Sequence, residues 1–348
     1  MQKQWKVAAV EGGSYTDFTS IFRQMALSLS SDGLLSTDFA LQSFIFDEKQ
    51  NWDRLSEQSK NDCIYFVENG LYNAHWDPEK REEIKSSLTK RIVEKKDIDM
   101  LWAFGTIGGL DYADSSLGIP ILVITPSSPE LAGIIGEGEF SNKKNVHVQK
   151  ERGRAEAEIM MFHDIFKFKN LGVIVDILPE NQLAQHYPTV KQMAHELGVN
   201  LIECRGDING SNEKNNYSEY EKCITELSKS AEAVFLPVGN GSDPENFLQQ
   251  IEPLIKKRIP TFTQNGIDEV RRGALLSLAE NDMQDSGAFE AGVVKKIMSG
   301  VAPEAISQYY NPPLTLALNL KTARLIEWKP PFEVLIAVDV IYQDIKAD

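Results

Sequence analysis

Cysteine and histidine are scarce: three of the first and five of the second in 348 residues. Cys63, Cys204 and Cys223 are too few and too scattered for a disulfide framework or a zinc site, and read as buried free thiols, with a Cys204–Cys223 bridge as the alternative. His75, His147, His163, His186 and His195 include no His-x-His or His-Glu-x-x-His spacing, so no metal site is predicted. No Gly-x-Ser-x-Gly elbow is present, and Gly105-Thr-Ile-Gly-Gly109 has neither the Lys-Ser/Thr ending of a P-loop nor dinucleotide-binding spacing. No catalytic residue and no cofactor is therefore predicted. Basic residues are outnumbered 36 to 51, and a net charge of −15 without a Lys/Arg cluster speaks against nucleic acid. No apolar run reaches the ~18 residues of a membrane span. The opening MQKQWKVAAV lacks the basic, apolar, small-residue order of an export signal, which fits either a cytosolic protein or a chain whose signal has been removed.

What is present is alternation. Apolar, β-branched segments at Lys6–Val10, Ala40–Phe46, Cys63–Val67, Asp99–Phe104, Ile119–Ile124, Leu171–Asp176, Asn200–Glu203, Ala233–Leu236 and Thr261–Thr263 alternate with amphipathic helical patterns. That rhythm predicts an α/β fold of parallel sheets covered by helices, and the length suits two lobes with separate cores. Thr125-Pro-Ser-Ser-Pro129 interrupts the rhythm with turn chemistry and is the expected first crossing, with others near Leu278–Asp282 and Asn311–Pro313. Residues 28–62 read as an elaboration of lobe one.

Ligands collect outside the carboxyl ends of strands in such sheets, so the loops after strands supply the candidates. In lobe one these are Glu11, Ser14 and Tyr15, His75 and Trp76, Thr106, and Ser127 with Ser128; in lobe two, Asp176 and Asn240. Ser127-Ser-Pro-Glu130 and Ser242-Asp-Pro-Glu245 each read as a helix-starting box, which caps a helix and, functionally, offers backbone donors to a ligand carboxylate. His75 and Trp76, with Tyr72, form either a stacking shelf or a staple for the following helix. Glu11 suits a ligand ammonium or serves as a solvated or capping carboxylate. Tyr309-Tyr310 is expected to pack against a crossing segment.

The stretches Trp102–Gly108, Ile119–Pro126, Leu171–Asp176, Ala233–Pro237, Arg258–Phe262 and Gly273–Ile326, in that order and spacing, resemble the ABC-transporter substrate-binding protein family that includes bacterial tryptophan-binding proteins. The resemblance implies two Rossmann-like lobes with parallel sheets joined by a three-segment hinge, of the periplasmic binding protein type I-like class. It implies residues 1–125 plus 279–310 for lobe one and 126–278 plus 311–348 for lobe two. It raises the ligand-binding reading of Thr106, Ser127 and Ser128. It further implies a monomeric protein that is either periplasmic or extracellular and membrane-anchored, with its signal segment absent from this chain. Such a protein binds a small carboxylate, an amino acid with an aromatic or apolar side chain, in the interlobe cleft and delivers it to an ABC permease. The rival readings are a two-domain α/β isomerase or racemase, which calls for paired cysteines or carboxylates, and a ligand-sensing module.

Overall fold

The computed structural model describes residues 3–36, 48–280 and 283–346. The strand expected at Ala40–Phe46 lies outside the described residues. The chain divides into two compact units, one of Met1–Arg152 with Asp282–Pro312 and one of Gly153–Asn281 with Pro313–Asp348.

The first unit is built on a five-stranded sheet of order β2-β1-β3-β4-β5, comprising β1 (Trp5–Glu11), β2 (Ile64–Asn73), β3 (Met100–Phe104), β4 (Ile121–Ile124) and β5 (Val146–Val148). Every pairing in it is parallel, so all five carboxyl ends share one edge. Strand residues point alternately to the two faces. Val7, Ala9, Met100, Trp102, Leu122 and Ile124 join one core, and Ala8, Val10, Leu101, Ala103, Ile121 and Val123 join the other. The first core is covered by helix Thr16–Ser31 and, from far along the chain, by helix Gln284–Met298. These two helices approach so closely that a Cβ on Gly287 would lie 2.3 Å from Gln24 Cβ. Trp52, on helix Glu48–Gln58, fills the same core, stacking on Phe22 at 5.8 Å. β2 carries a register shift between the partners of Val7 and Ala9, and the carbonyls it frees are taken up: Trp52 Nε1 donates to Val67 O at 2.9 Å, and Arg91 to Asn69 O and Glu68 O.

The break expected at Thr125 lies instead at Arg152, because the chain makes a long loop after β4 and returns as β5 to the edge of the same sheet. No helix follows Ser127: the run 125–135 is made of bends and turns. Lys150, 1 % exposed, organises that loop; its ammonium lies 2.6 Å from Glu130 and donates to Gly138 O at 2.8 Å and Gly136 O at 3.3 Å. A small ribbon follows, in which β6 (Lys150–Glu151) pairs in parallel with β12 (Tyr309–Tyr310), so the tyrosine pair packs where it was expected. Arg152 lies over the Tyr309 ring and donates to its hydroxyl at 2.6 Å.

The second unit holds a seven-stranded sheet of order β14-β13-β11-β10-β9-β7-β8. Its strands are β7 (Asn170–Asp176), β8 (Asn200–Gly206), β9 (Ala233–Leu236), β10 (Thr261–Thr263), β11 (Leu276–Glu280), β13 (Leu314–Asn319) and β14 (Val340–Tyr342). The pairing is parallel except that β11 and β13 run antiparallel, so the late crossing segment enters against the grain of an otherwise parallel sheet. Cys204 on β8 and Cys223 on helix Glu213–Leu227 form a disulfide, which corrects the free-thiol expectation. The pairing is tertiary: Cys223 is buried under the sheet, with Cα atoms 5.4 Å apart, whereas sequence offers only a spacing of 19. Cys63 is free.

Among the described residues no helix is long and apolar enough to cross a membrane. Among the same residues no group of three or more His, Cys, Asp or Glu is placed to hold a metal ion.

Candidate ligand-binding site

At the carboxyl edge of the first sheet, Glu11 ends β1 beside Asn73 of β2 and Phe104 of β3. It is 3 % exposed, which corrects the solvated reading, and it accepts a hydrogen bond from Asn73 Nδ2 at 2.6 Å. The same amide donates to exposed Ser14 Oγ at 2.8 Å, while Asn73 Oδ1 accepts the His75 N–H at 2.7 Å. Asn73 thus fixes both neighbouring turns, a role sequence reading missed. His75 and Trp76 both adopt left-handed backbone, at φ 53° and 59°. The Trp76 ring covers Gly13 so tightly that a Cβ there would lie 2.4 Å from it, and the Trp76 N–H donates to Gly12 O at 2.8 Å. The indole therefore caps the Glu11–Ser14 turn; the helix start itself belongs to Asp77, whose carboxylate accepts from Glu79 N at 2.9 Å. Tyr15 occupies the N-cap position of its helix, with its ring edge-on to Phe18 at 5.5 Å.

Beside Glu11 lies an opening of ≈ 270 Å³, part of it solvent, walled by Phe18, Phe22, Trp52, Leu71 and Phe104. Its lining is almost wholly apolar. Next along the edge, Thr106 in the first turn of helix Gly105–Tyr112 is 4 % exposed, and its Oγ1 accepts the Ser127 backbone N–H at 2.9 Å. That bond ties the β3 and β4 turns together and leaves the Thr106 hydroxyl hydrogen to donate elsewhere. Ser128 is left-handed at φ 42°, and its carbonyl accepts the Ala132 N–H. The capping role predicted for this tetrapeptide is not realised, since the chain turns left-handed before a helix can start. Gln149, past β5, accepts the Thr125 N–H at 2.9 Å and donates to Ser286 Oγ at 2.8 Å. No local pattern marks Gln149 or Ser286, which are 137 residues apart.

In the second unit the strand-end residues bond one another. Asp176, 0 % exposed, accepts from Leu178 N at 2.8 Å, Asn181 Nδ2 at 3.1 Å, Ile208 N at 3.3 Å and Asn209 Nδ2 at 3.1 Å. This network, more than direct ligand contact, accounts for the buried carboxylate. Asn209 Oδ1 in turn accepts the Asn240 N–H at 2.8 Å and sits where a Cβ on Gly239 would meet it at 2.3 Å. Asn265 Oδ1 takes the Gly239 N–H at 3.1 Å, and Asn265 Nδ2 donates to Glu269 at 2.7 Å. Burial pushes the Glu269 carboxyl upward against the pull of its hydrogen bonds to Ser242, Thr263 and Asn265. Asn240 Nδ2 is buried and has no hydrogen-bond partner, so of the two sequence candidates in this unit it is the one that presents a donor. Ser242 does not cap the following helix, which starts only at Phe247 behind an Asn246 that makes no side-chain capping bond; Asp243 instead closes an Asx turn in the loop before it, accepting from Glu245 N at 2.9 Å.

No protein-family model matches the chain, and no curated protein matches it in sequence. Its fold does match solved structures. The ABC domain in complex with L-Trp from Streptococcus pneumonia superposes with a TM-score of 0.71 at 14 % identity, over 97 % of this chain and 100 % of that one. A conserved domain protein from Vibrio cholerae gives 0.72 at 17 % identity, over 97 % and 100 %. The ligand-free, open structure of a substrate-binding protein with adhesive properties from Clostridium difficile gives 0.61 at 15 % identity, over 98 % and 100 %. The architecture is that of the type I-like periplasmic binding proteins, two α/β units each formed from separated segments of the chain.

Proposed function

We propose that this chain is an extracytoplasmic solute-binding protein that takes up a small carboxylate-bearing molecule, an amino acid with an aromatic or apolar side chain, and passes it unchanged to an ABC permease. The observation that carries the reading is the pairing, along one sheet edge of the first unit, of an aromatic-walled opening with the hydroxyl of Thr106. The rings provide contact area for an apolar side chain at little entropic cost. The Thr106 hydroxyl and the first backbone N–H groups of its helix offer donors to a carboxylate, where the helix dipole favours negative charge. Glu11 and Trp76 shape the neighbouring turn, with Ser14 and His75 at its exposed rim. A structure bound to L-Trp on the same fold supports an amino acid as ligand. The Cys204–Cys223 disulfide supports an oxidising compartment, because such bonds are rare where thiols are kept reduced.

A thermal-shift panel of the twenty L-amino acids, phenylacetate, tryptamine and nucleosides tests the reading. Stabilisation that grows with the logarithm of ligand excess is the expected result, and the bound compound should be recovered unchanged by mass spectrometry. Protein-dependent conversion of the compound would establish an enzyme instead.

A further inference from the structure

Gly105 follows β3 and Thr125 follows β4, and the residues before them, Phe104 and Ile124, are register partners. The chain turns left-handed at both places, with φ 71° and 51°. Glycine meets this requirement at Gly105 without strain, and is needed there because a Cβ would lie 2.5 Å from the Phe18 ring. Thr125 meets the same requirement with a β-branched side chain, a conformation such residues avoid and which persists only where the surroundings enforce it. The enforcement is visible: Gln149 Oε1 holds the Thr125 N–H at 2.9 Å, and Gln149 Nε2 is itself held on Ser286 Oγ of helix Gln284–Met298 at 2.8 Å. Both groups are nearly inaccessible, at 3 % and 1 % exposure. The Thr125 Oγ1 so positioned is buried and has no hydrogen-bond partner. A strained backbone that delivers an unpaired hydroxyl to a strand end costs stability twice over, while glycine or valine would avoid one cost each.

We infer that Thr125 is a ligand-binding residue of the first unit, its hydroxyl donating beside that of Thr106 to a carboxylate oxygen of the ligand, with Gln149 as the residue that positions it. The inference rests on the carboxylate-binding reading above and sharpens it, since sequence had pointed to Ser127 and Ser128 in this turn.

The test compares wild type, Thr125→Val and Thr125→Gly by thermal unfolding and by calorimetric titration with whichever of the L-amino acids or phenylacetate stabilises the wild type. Valine keeps the shape and removes the hydroxyl; its Tm should equal or exceed that of wild type while affinity falls about tenfold or more. Glycine relieves the backbone, so its Tm should rise by a few degrees, again with weakened binding. Gain of stability with loss of affinity is a signature that a purely structural threonine does not produce. Unchanged affinity in Thr125→Val overturns the inference and leaves the proposed function standing. If no carboxylate in the panel shifts the wild type, while tryptamine or a nucleoside does, the carboxylate reading falls and the inference falls with it.

Discussion

In the first unit the residues that follow β3 and β4, Gly105 and Thr125, are small or hydroxylic and turn left-handed, and the same sheet carries an opening walled by Phe18, Trp52 and Phe104. In the second, the corresponding residues are amides and acids that hold one another: Asp176 to Asn209, Asn209 to Asn240, Asn265 to Gly239 and Glu269. The same topological position is thus used once to present groups and once to fasten loops. Side-chain identity at a strand end therefore says little until its hydrogen bonds are known. A buried Asp whose oxygens already accept several N–H groups is a fastening, and a buried Thr with no partner is an invitation.

The largest effect should come from cutting the fastening. Asp176→Ala strands the N–H groups of Leu178 and Ile208 and the amides of Asn181 and Asn209. A loss of about 3–5 kcal/mol is expected in urea unfolding, with amide exchange accelerating at 206–210 and 239–241; an effect below 1 kcal/mol would deny the network its role. Next in size is the disulfide. Reduction, or Cys223→Ser, should cost about 3 kcal/mol, as chain-entropy arguments give for a loop of this order with a separation of 19, and unfolding curves with and without reductant measure it.

Each unit also carries one histidine held below its ordinary pKa, His147, fully buried in the first, and His186, half-buried in the second. Burial pushes the pKa of both down to about 4, against the smaller upward pull of Ser307 O on His147 and with added repulsion from Arg154 on His186. A depressed histidine contributes stability that is complete above the unfolded value of 6.5 and is lost as pH falls through that value towards 4. Between pH 6.5 and 5 each should contribute up to about 2 kcal/mol of acid destabilisation. His186→Asn, which tolerates the left-handed backbone, and His147→Gln should each flatten the acid limb of a Tm-against-pH plot; parallel curves would contradict the assignment.

The smallest effect concerns binding. Thr106→Ala should weaken the ligand identified by thermal shift about tenfold, ~1.4 kcal/mol. Ser127→Ala should do less, because it is the Ser127 backbone N–H that meets Thr106. Equal losses in titration would mean that the Ser127 hydroxyl also faces the ligand.

Much of the framework was legible. β3, β4, β7, β9, β10, β11 and β13 are short apolar runs between turn residues, and a strand buried on both faces has to be written that way. The end of the first segment was misread because β5 is only Val146–Val148, set after a loop without periodicity, so that Thr125–Pro129 looked like the last word of a lobe. The Ser-x-Pro-Glu boxes misled for a related reason: capping chemistry and turn chemistry use the same residues, and φ of 51° at Thr125 and 42° at Ser128 decides between them. The candidate residues were legible as strand-end positions, and their hydrogen-bond partners were not. Thr106 and Glu11 were found as strand-end residues, but Asn73, Gln149 and Ser286 act across 62 or 137 residues of sequence, a distance over which spacing carries no signal.

Helix Gln284–Met298 supplies Ala291, Val293, Val294 and Ile297, and the segment after it Ile306, to a core otherwise written before residue 152. A ribosome that has finished β5 has therefore made a sheet with one face only partly covered, by helix Thr16–Ser31 and Trp52, and still short of a helix not yet translated. Contacts of such long sequence separation are slow to form and leave sticky surface exposed meanwhile. The first unit cannot complete that core until residues beyond 282 have been made, and a chain in that unfinished state offers a chaperone its apolar surface.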